Sequence, residues 1–494
     1  MPTHELPLAY RLRGSSRYRP LDGGGAALIL GYPLRTALIH ADWAPVLARL
    51  RQEEWVTLDA LHQARPELPA ARIEGLMNSL CRKGYLDRRG LPPLDPAHTP
   101  TVSVIIPVRN RPEEIDTCLE ALTRLDYPAA KLEIIVVDDA SEDATPEVVG
   151  RFAGVKLIRM PRHRQAAHCR NRAAGVARGD LLAFIDSDCV AAATWLKELV
   201  PAFRDPAVGA VGGWVDAASQ ATLLDRYEKV KSALSVSVWF KRSEESERFF
   251  YLPTCNFLVR REVFLAAGGL REWLYVGEDV DLCWRLQDAG HLLEYLPLGR
   301  VAHKHRNRLM AFCARRFDYG TSEPVLQGLH PDRVKTLFLP WRAALFWLCV
   351  AAAVGFKTAL PLILALGLLG DDGLRKYRKL RKRRIPIRPR AVYAAVLRGY
   401  LAFVDHCCHF ISRYYLITIP GVLLLSRPLA AAMLGMHLIA AMVELVVKKP
   451  PLNPLVFLLF FTLEQAAYQS GVWWASLRRF SFRAVLPRIV HKRI

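Results

Sequence analysis

The chain has 494 residues, 52% hydrophobic and 23% charged, which excludes a disordered or low-complexity protein and leaves room for roughly three domains. Its net charge of +21 is uneven: residues 300–494 hold 31 basic and 8 acidic side chains, and residues 1–299 hold 37 and 39. Basic clusters confined to the part that also carries long apolar runs point to a membrane surface and give no reason to assign nucleic acid as a partner.

The first region, residues 1–96, opens without an apolar segment in Met1–Gly14, so no secretory signal is expected. Tyr10-Arg11-Leu12-Arg13, a turn at Gly23-Gly24-Gly25 and Ala26–Leu30 read as strand, turn and strand. Asp42 is expected to cap a helix running to Arg51, and Thr57 or Asp59 another. Ile73, Leu76, Met77 and Leu80 recur at helical spacing, and Gly84 stands where that helix should stop. Tyr85–Gly90 reads as a small wing, which makes the region a compact winged-helix-like α+β module. Pro92, Pro93, Pro96 and Pro100 mark a linker.

The second region, residues 97–335, alternates apolar strands with helical stretches. Val102–Pro107, Glu133–Val137 and Leu181–Ile185 are the strands, and Glu113–Leu125 is one of the helices. That alternation predicts an α/β fold with a parallel sheet. The third region, residues 336–494, is apolar, basic and helical. Ala343–Gly370 contains one charge, Lys357; Arg375–Arg390 holds ten basic residues in 16; Pro428–Val447 and Leu455–Leu477 are further apolar runs, interrupted by Glu444 and by Glu464-Gln465. Runs of about 20 residues are long enough to cross a bilayer. The polar interruptions also suit buried helices packed on the catalytic domain. If the runs are spans, the basic loop belongs on the cytosolic side. The ten cysteines include no C-x-x-C pair and read as reduced, buried thiols of a cytosolic protein.

Chemistry concentrates in the middle region. Asp186-Ser187-Asp188 follows a strand, at the edge where open sheets bind ligands, and two such carboxylates can share a divalent cation. Asp138-Asp139 ends a second strand, and Arg109-Asn110 follows a third. Glu278-Asp279 stands at the start of a helical stretch, where acids are also favoured simply by the helix dipole.

In order, V-S-V-I-I-P-V-R-N, V-V-D-D-A-S, A-A-H-C-R-N, F-I-D-S-D and G-E-D-V-D-L-C-W-R resemble the family 2 glycosyltransferases of the GT-A fold over residues 101 to about 310. The resemblance implies an inverting, metal-dependent hexosyltransferase. It implies that Pro107, Asp138 and Asp139 form the nucleotide-base pocket, with Arg109 beside them. It implies that Arg170 and Asn171 close over the nucleotide-sugar. Asp186 and Asp188 are then the D-x-D pair that holds Mn or Mg and the donor diphosphate. Asp279 is the implied base, with Glu278 beside it. His303 of Val301-Ala302-His303 is the implied third metal contact, with His305 a weaker candidate. Thr254 and Asn256 lie where this family lines the acceptor pocket. Trp284 is counted with these acceptor residues; Trp273 and Trp284 could each stack on a sugar face or simply pack in the core.

The first region is similar to PqqD-like peptide-binding modules, which serve ribosomally made, modified peptides. Together the three regions resemble the mycofactocin-system glycosyltransferases. That implies a UDP-sugar donor, UDP-glucose by inheritance, β-linked transfer to a peptide-derived redox cofactor or its precursor, and an active site at the cytoplasmic face of the membrane. A membrane family 2 enzyme elongating a cell-surface or lipid-linked glycan shares the catalytic motifs and is the alternative.

Overall fold

The structure is a computed structural model and describes residues 7–31, 33–90, 99–245, 249–333 and 335–490. The chain forms two compact units. One comprises Met1–Pro92, Lys335–Phe410 and Pro487–Ile494, and the other Pro93–Val334 and Ile411–Leu486. The stretch that reads as one C-terminal region is therefore shared between both. The linker residues Pro92, Pro93 and Pro96 lie outside the described residues.

The N-terminal part contains strands β1 (Ala9–Leu12), β2 (Ser16–Pro20), β3 (Ala26–Gly31) and β4 (Leu34–Ile39). Helix α1 (Ala44–Leu47), β5 (Val56–Thr57), α2 (Leu58–His62), α3 (Ala70–Arg82) and β6 (Leu86–Arg89) follow. β2, β3 and β4 form one antiparallel sheet and β5, β1 and β6 another. Gly23 and Gly24 take the positive φ that the β2–β3 turn requires. The expected strands are both present, but in different sheets, and polar Ser16–Pro20 intervenes as an unpredicted strand.

The helix expected from Asp42 to Arg51 is one turn long. Its approach is capped by His40, whose Nδ1 accepts the Asp42 N–H at 3.4 Å. Past Leu47 the bonds tighten to single turns, Arg49 N–H to Val46 and Leu50 N–H to Leu47, and the Arg51 carbonyl accepts the Leu12 N–H of β1. Thr57 caps α2 as expected, accepting the Ala60 N–H. α3 buries Ile73, Met77 and Leu80 and stops at Gly84, whose φ is +84°. The expected wing, β6, pairs with β1.

The middle part runs β7 (Val102–Val108), α4 (Pro112–Thr123), β8 (Leu132–Asp138), α5 (Thr145–Val149), β9 (Val155–Arg159), α6 (Ala166–Val176) and β10 (Leu181–Phe184). It continues through β11 (Cys189–Ala191), α7 (Trp195–Leu199), β12 (Val208–Gly212), β13 (Val215–Ala217), α8 (Leu223–Lys231) and β14 (Lys241–Arg242). β15 (Phe257–Arg260), α9 (Arg261–Ala266), α10 (Glu278–Asp288), β16 (Leu292–Tyr295), β17 (Val301–His303) and α11 (Leu309–Leu329) complete it.

The central sheet has eight strands in the order β14-β16-β12-β15-β10-β7-β8-β9. It is mixed: β10, β7, β8 and β9 are parallel, whereas β15 runs antiparallel to both neighbours. This corrects the expected parallel sheet. Central strands are buried on both faces and read as continuous apolar runs whichever way they point, so the pattern carries no direction. Val102, Val104, Ile106 and Val108 pack toward α4, α5 and α7, while Ile105 packs toward α6, α9 and α10.

The remaining elements are β18 (Thr336–Phe338), α12 (Trp341–Phe356), α13 (Leu360–Lys382), α14 (Pro389–Tyr414), α15 (Ile419–Leu425), α16 (Arg427–Lys448), α17 (Pro454–Arg478) and β19 (Arg488–Val490). The apolar run Ala343–Gly370 is two helices. Lys357, in left-handed geometry at φ +53°, ends α12, and Pro361 lies in the first turn of α13. α16 and α17 are each long and apolar enough to cross a membrane, and α14 and α15 meet at a 65° bend.

The polar interruption of α17 is satisfied within its own unit. Glu464 accepts the Tyr227 hydroxyl at 2.5 Å and lies 3.3 Å from Arg316 Nε, while Gln465 accepts from Arg413. Gly320 and Gly471 let α11 and α17 touch, since a Cβ on Gly320 would overlap the Tyr468 carbonyl. All ten cysteines are free thiols.

Candidate active site

The site lies at the C-terminal edge of β7, β8 and β10. Parallel pairing sets Pro107 opposite Val137 and Val108 opposite Asp138, so the two loops that follow leave the sheet together. Asn110, at φ +50°, stitches them: its N–H donates to Ser141 Oγ and its Oδ1 accepts the Glu142 N–H, both at 2.9 Å.

The two acids that end β8 do different work. Asp138 is fully buried. Its Oδ1 accepts the Ser141 N–H, and its Oδ2 accepts no hydrogen bond, with Arg159 Nε 3.6 Å away. An unspent buried acceptor of this kind suits a donor N–H of a bound base. Asp139 is saturated: it accepts from the His163 ring at 2.7 Å and from the backbone of Arg164 and Gln165 at 2.7 and 2.8 Å. It fixes the loop before α6, in which Gln165 sits at φ +75°. Arg109 is half-buried, with its Nε lacking a partner.

Asp186 and Asp188 follow β10, and each meets its own guanidinium. Arg170 Nη2 donates to Asp186 at 2.5 Å and Arg111 Nη1 to Asp188 at 2.5 Å. The antiparallel pairing of β11 with β17 places Cys189 opposite His303. His303 Nε2 thereby stands 3.5 Å from Asp188 Oδ1. One ligand atom from each of Asp188, Cys189 and His303 lies within 4.8 Å of the others. Burial alone would raise the Asp188 carboxyl, but His303 and Arg111 outweigh it and hold it below the usual range. Burial pushes the Cys189 thiol well up, so the anionic ligand there is the carboxylate. His303 Nδ1 is buried without a hydrogen-bond partner, and its ring packs on His305 at 4.9 Å. Burial drives the His305 imidazole down to about 3, so it is neutral. A carboxylate beside an imidazole whose second ring nitrogen has no partner is a donor set that fits a divalent cation.

Gly277, at φ +87°, opens α10 and sends Glu278 and Asp279 out at the helix start. Arg170, itself buried, joins them to the D-x-D: its Nη1 donates to Glu278 Oε1 at 3.2 Å. Burial raises the Glu278 carboxyl to about 7, helped by repulsion from Asp279. Burial also raises the Asp279 carboxyl. A carboxylate lifted toward neutral pH is a stronger base than a solvated one. Asn171 is occupied elsewhere. Its amide donates to the Leu270 carbonyl and accepts the Leu270 N–H, clamping the Gly268-Gly269 turn.

The expected acceptor residues are mostly interior. Asn256 is fully buried, accepts from Trp195 Nε1 and donates to the carbonyls of Trp214 and Gly299 at 3.0 and 2.8 Å. Thr254 is buried on the short turn before β15. Trp284 is buried edge-on against Phe249 and His330, whereas Trp273 is 60% exposed. Trp284, expected among the acceptor residues, is instead packed inside, and Trp273 faces outward.

Sequence reasoning missed Arg111, although it follows Arg109-Asn110 directly. It also missed a buried chain behind the metal-ligand candidates. His305 Nδ1 lies 3.5 Å from Glu228, which accepts from Arg316 at 2.5 Å. No local pattern announces such pairs, because their members lie 77 and 88 residues apart.

Residues 103–267 match the model of glycosyl transferase family 2. The chain is 29% identical to "Pre-mycofactocin glycosyltransferase" of Mycobacterium tuberculosis, over 99% of this chain and 100% of that one. It is 31% identical to "Glycosyltransferase AglE" of Haloferax volcanii, over 40% of this chain and 64% of the relative. Among solved structures, the mannosyltransferase PcManGT of Pyrobaculum calidifontis aligns at 23% identity over 73% of this chain and 99% of its own, with a TM-score of 0.38. Residues 103–267 thus match the family 2 glycosyl transferase model, within a sequence similar from end to end to a pre-mycofactocin glycosyltransferase.

Proposed function

We propose that the protein transfers a hexose from a UDP-sugar, with UDP-glucose as donor, onto the peptide-derived redox cofactor mycofactocin or its precursor. The acceptor reading is carried by the end-to-end similarity to a pre-mycofactocin glycosyltransferase. The chemical reading is carried by one observation: Arg170 bridges Glu278 at the start of α10 to Asp186 of the D-x-D.

In this reading Asp138 Oδ2 accepts a donor N–H from the base. Asp186, Asp188 and His303 would hold Mn or Mg, which would supply Lewis-acid neutralisation of charge on the departing diphosphate. Asp279 takes the proton from the acceptor hydroxyl as that oxygen attacks the anomeric carbon opposite the diphosphate. One displacement inverts the centre, giving a β-linked product from an α-linked donor. Arg170 keeps the acid pair and the D-x-D in register. The N-terminal part is read as a PqqD-like module, a reading supported by its sheet β2–β3–β4 and by α3. The enzyme works at the cytoplasmic face of the membrane, supported by the length and apolarity of α16 and α17.

The test is mass spectrometry of the acceptor after incubation with full-length protein, Mn²⁺ and UDP-glucose, UDP-galactose or UDP-N-acetylglucosamine in turn. Addition of hexose from UDP-glucose alone supports the reading. Turnover only with a lipid-linked acceptor would replace it by the surface-glycan alternative.

A further inference from the structure

We infer that the α12–α13 hairpin enters a single leaflet of an anionic bilayer and returns, anchoring its unit without crossing the membrane. This rests on the membrane-face reading but not on α16 or α17.

The hairpin has a polar base and an apolar tip. At the base, Arg342 of α12 lies 3.0 Å from Asp371 and 3.5 Å from Asp372 of α13. Lys376 donates to Asp372 at 2.9 Å, so the ion pairs close a girdle across both helices. Trp341, half exposed, stands beside it, as interfacial tryptophans do. Beyond the girdle, 343–356 and 360–370 contain no charged residue.

The packed part of this layer reaches from the girdle to Ala365: Ala343, Phe346, Ala365, Val396 and Tyr400 form a core. The tip has no such cover: Val354, Phe356, Leu360 and Ile363 are 75%, 77%, 66% and 62% exposed. The apolar part of α13 rises about 16 Å at 1.5 Å per residue, which matches one leaflet's share of a hydrocarbon core about 30 Å thick. α12 is 16 residues long and too short to cross.

Charge selects the surface. Immediately past the girdle, α13 continues into Arg378, Lys379, Arg381 and Lys382, all exposed, with Arg383 and Arg384 following the helix. A basic segment one girdle above an apolar tip meets the phosphates of anionic headgroups while the tip meets acyl chains. Ile385, buried against Ala27 and Ile29 of β3, ties this segment to the N-terminal sheet. Lys357 at the turn is the one charge on the tip, and it opposes insertion. That opposition gives the test a sign: an acidic protein partner would gain from Lys357, whereas a bilayer loses by it.

The experiment uses full-length protein mixed with vesicles of phosphatidylcholine, with or without 30% phosphatidylglycerol. A trace phospholipid carries a photoreactive diazirine at its acyl-chain end, and adducts are mapped by mass spectrometry. Acyl adducts are expected on 354–364 and not on 375–384, more in anionic vesicles than in neutral ones and fewer at high salt. The double variant Val354→Asp with Phe356→Asp should lower the hairpin adducts at least about tenfold, and Lys357→Leu should raise them. Adducts on α16 or α17 with none on the hairpin would overturn the inference and leave the membrane reading standing. No association with either vesicle would overturn both. A fall in hairpin adducts on Lys357→Leu would also overturn the inference.

Discussion

Arg170 and Glu278, 108 residues apart in sequence, meet at 3.2 Å, and the same guanidinium holds Asp186 at 2.5 Å. One buried cation thus sets the electrostatics of both halves of the site. It favours the ionised forms of Glu278 and Asp279, against the burial that raises them. A desolvated acid pair without this cation would hold its protons to still higher pH.

Removing the cation should therefore move the pH profile. In the wild type, kcat/KM should rise with pH as the acid pair loses its proton, near the value of about 7 to which Glu278 is raised. In Arg170→Met the acidic limb should shift to higher pH by roughly one unit, together with a loss of rate. A pH–rate series on both proteins checks this.

Metal activation should depend on the β11–β17 pairing. His303→Ala removes the imidazole 3.5 Å from Asp188 and should raise the Mn²⁺ concentration for half-maximal activity at least about tenfold. Asp188→Asn should do the same. Titration of activity against Mn²⁺ in both variants is the measurement.

Asn256 gives a prediction of the opposite kind. Its side chain makes three hydrogen bonds inside the domain, so Asn256→Ala should cost about 2–4 kcal/mol of stability. The acceptor KM of the folded fraction should stay near that of the wild type. Denaturant melts beside acceptor titrations separate the two effects.

Glu323 on α11 is buried and accepts from the hydroxyls of Tyr414 and Tyr468. Burial raises its carboxyl to about 7. A raised acid contributes fully below its unfolded value, about 4.3, and that contribution is lost as pH climbs through the folded value. Glu323→Gln should therefore gain about 3 kcal/mol on the wild type between pH 5 and pH 8. Melts of both proteins at the two pH values check the difference.

Much of this fold was legible because local pattern and tertiary position agree. Ile73, Met77 and Leu80 share a helical face and are all buried, and Gly84 ends that helix in the one geometry a glycine suits best. The strand edges carrying Asp138 and Asp186 were likewise readable from apolar runs that stop at acids. What was not legible depends on partners far away in sequence. Nothing around Asn256 or Asn171 shows that each is spent on a carbonyl from another loop. Trp284 and Trp273 look alike in sequence and differ only in what packs on them. The run Ala343–Gly370 reads as one span by hydropathy, because a left-handed Lys357 and a first-turn Pro361 break a helix without changing its average apolarity.

The proposed role of Asp279 as the base of a glycosyl transfer is tested by separating donor binding from transfer. Full-length wild type and Asp279→Asn would each be given UDP-glucose, Mn²⁺ and the peptide-derived acceptor. Donor affinity would be read by calorimetry and transfer by mass gain of the acceptor. Hexose addition by the wild type is expected, with donor affinity in the variant within a few-fold of it and transfer reduced by about 100-fold or more. Transfer by Asp279→Asn at the wild-type rate would exclude Asp279 as the base.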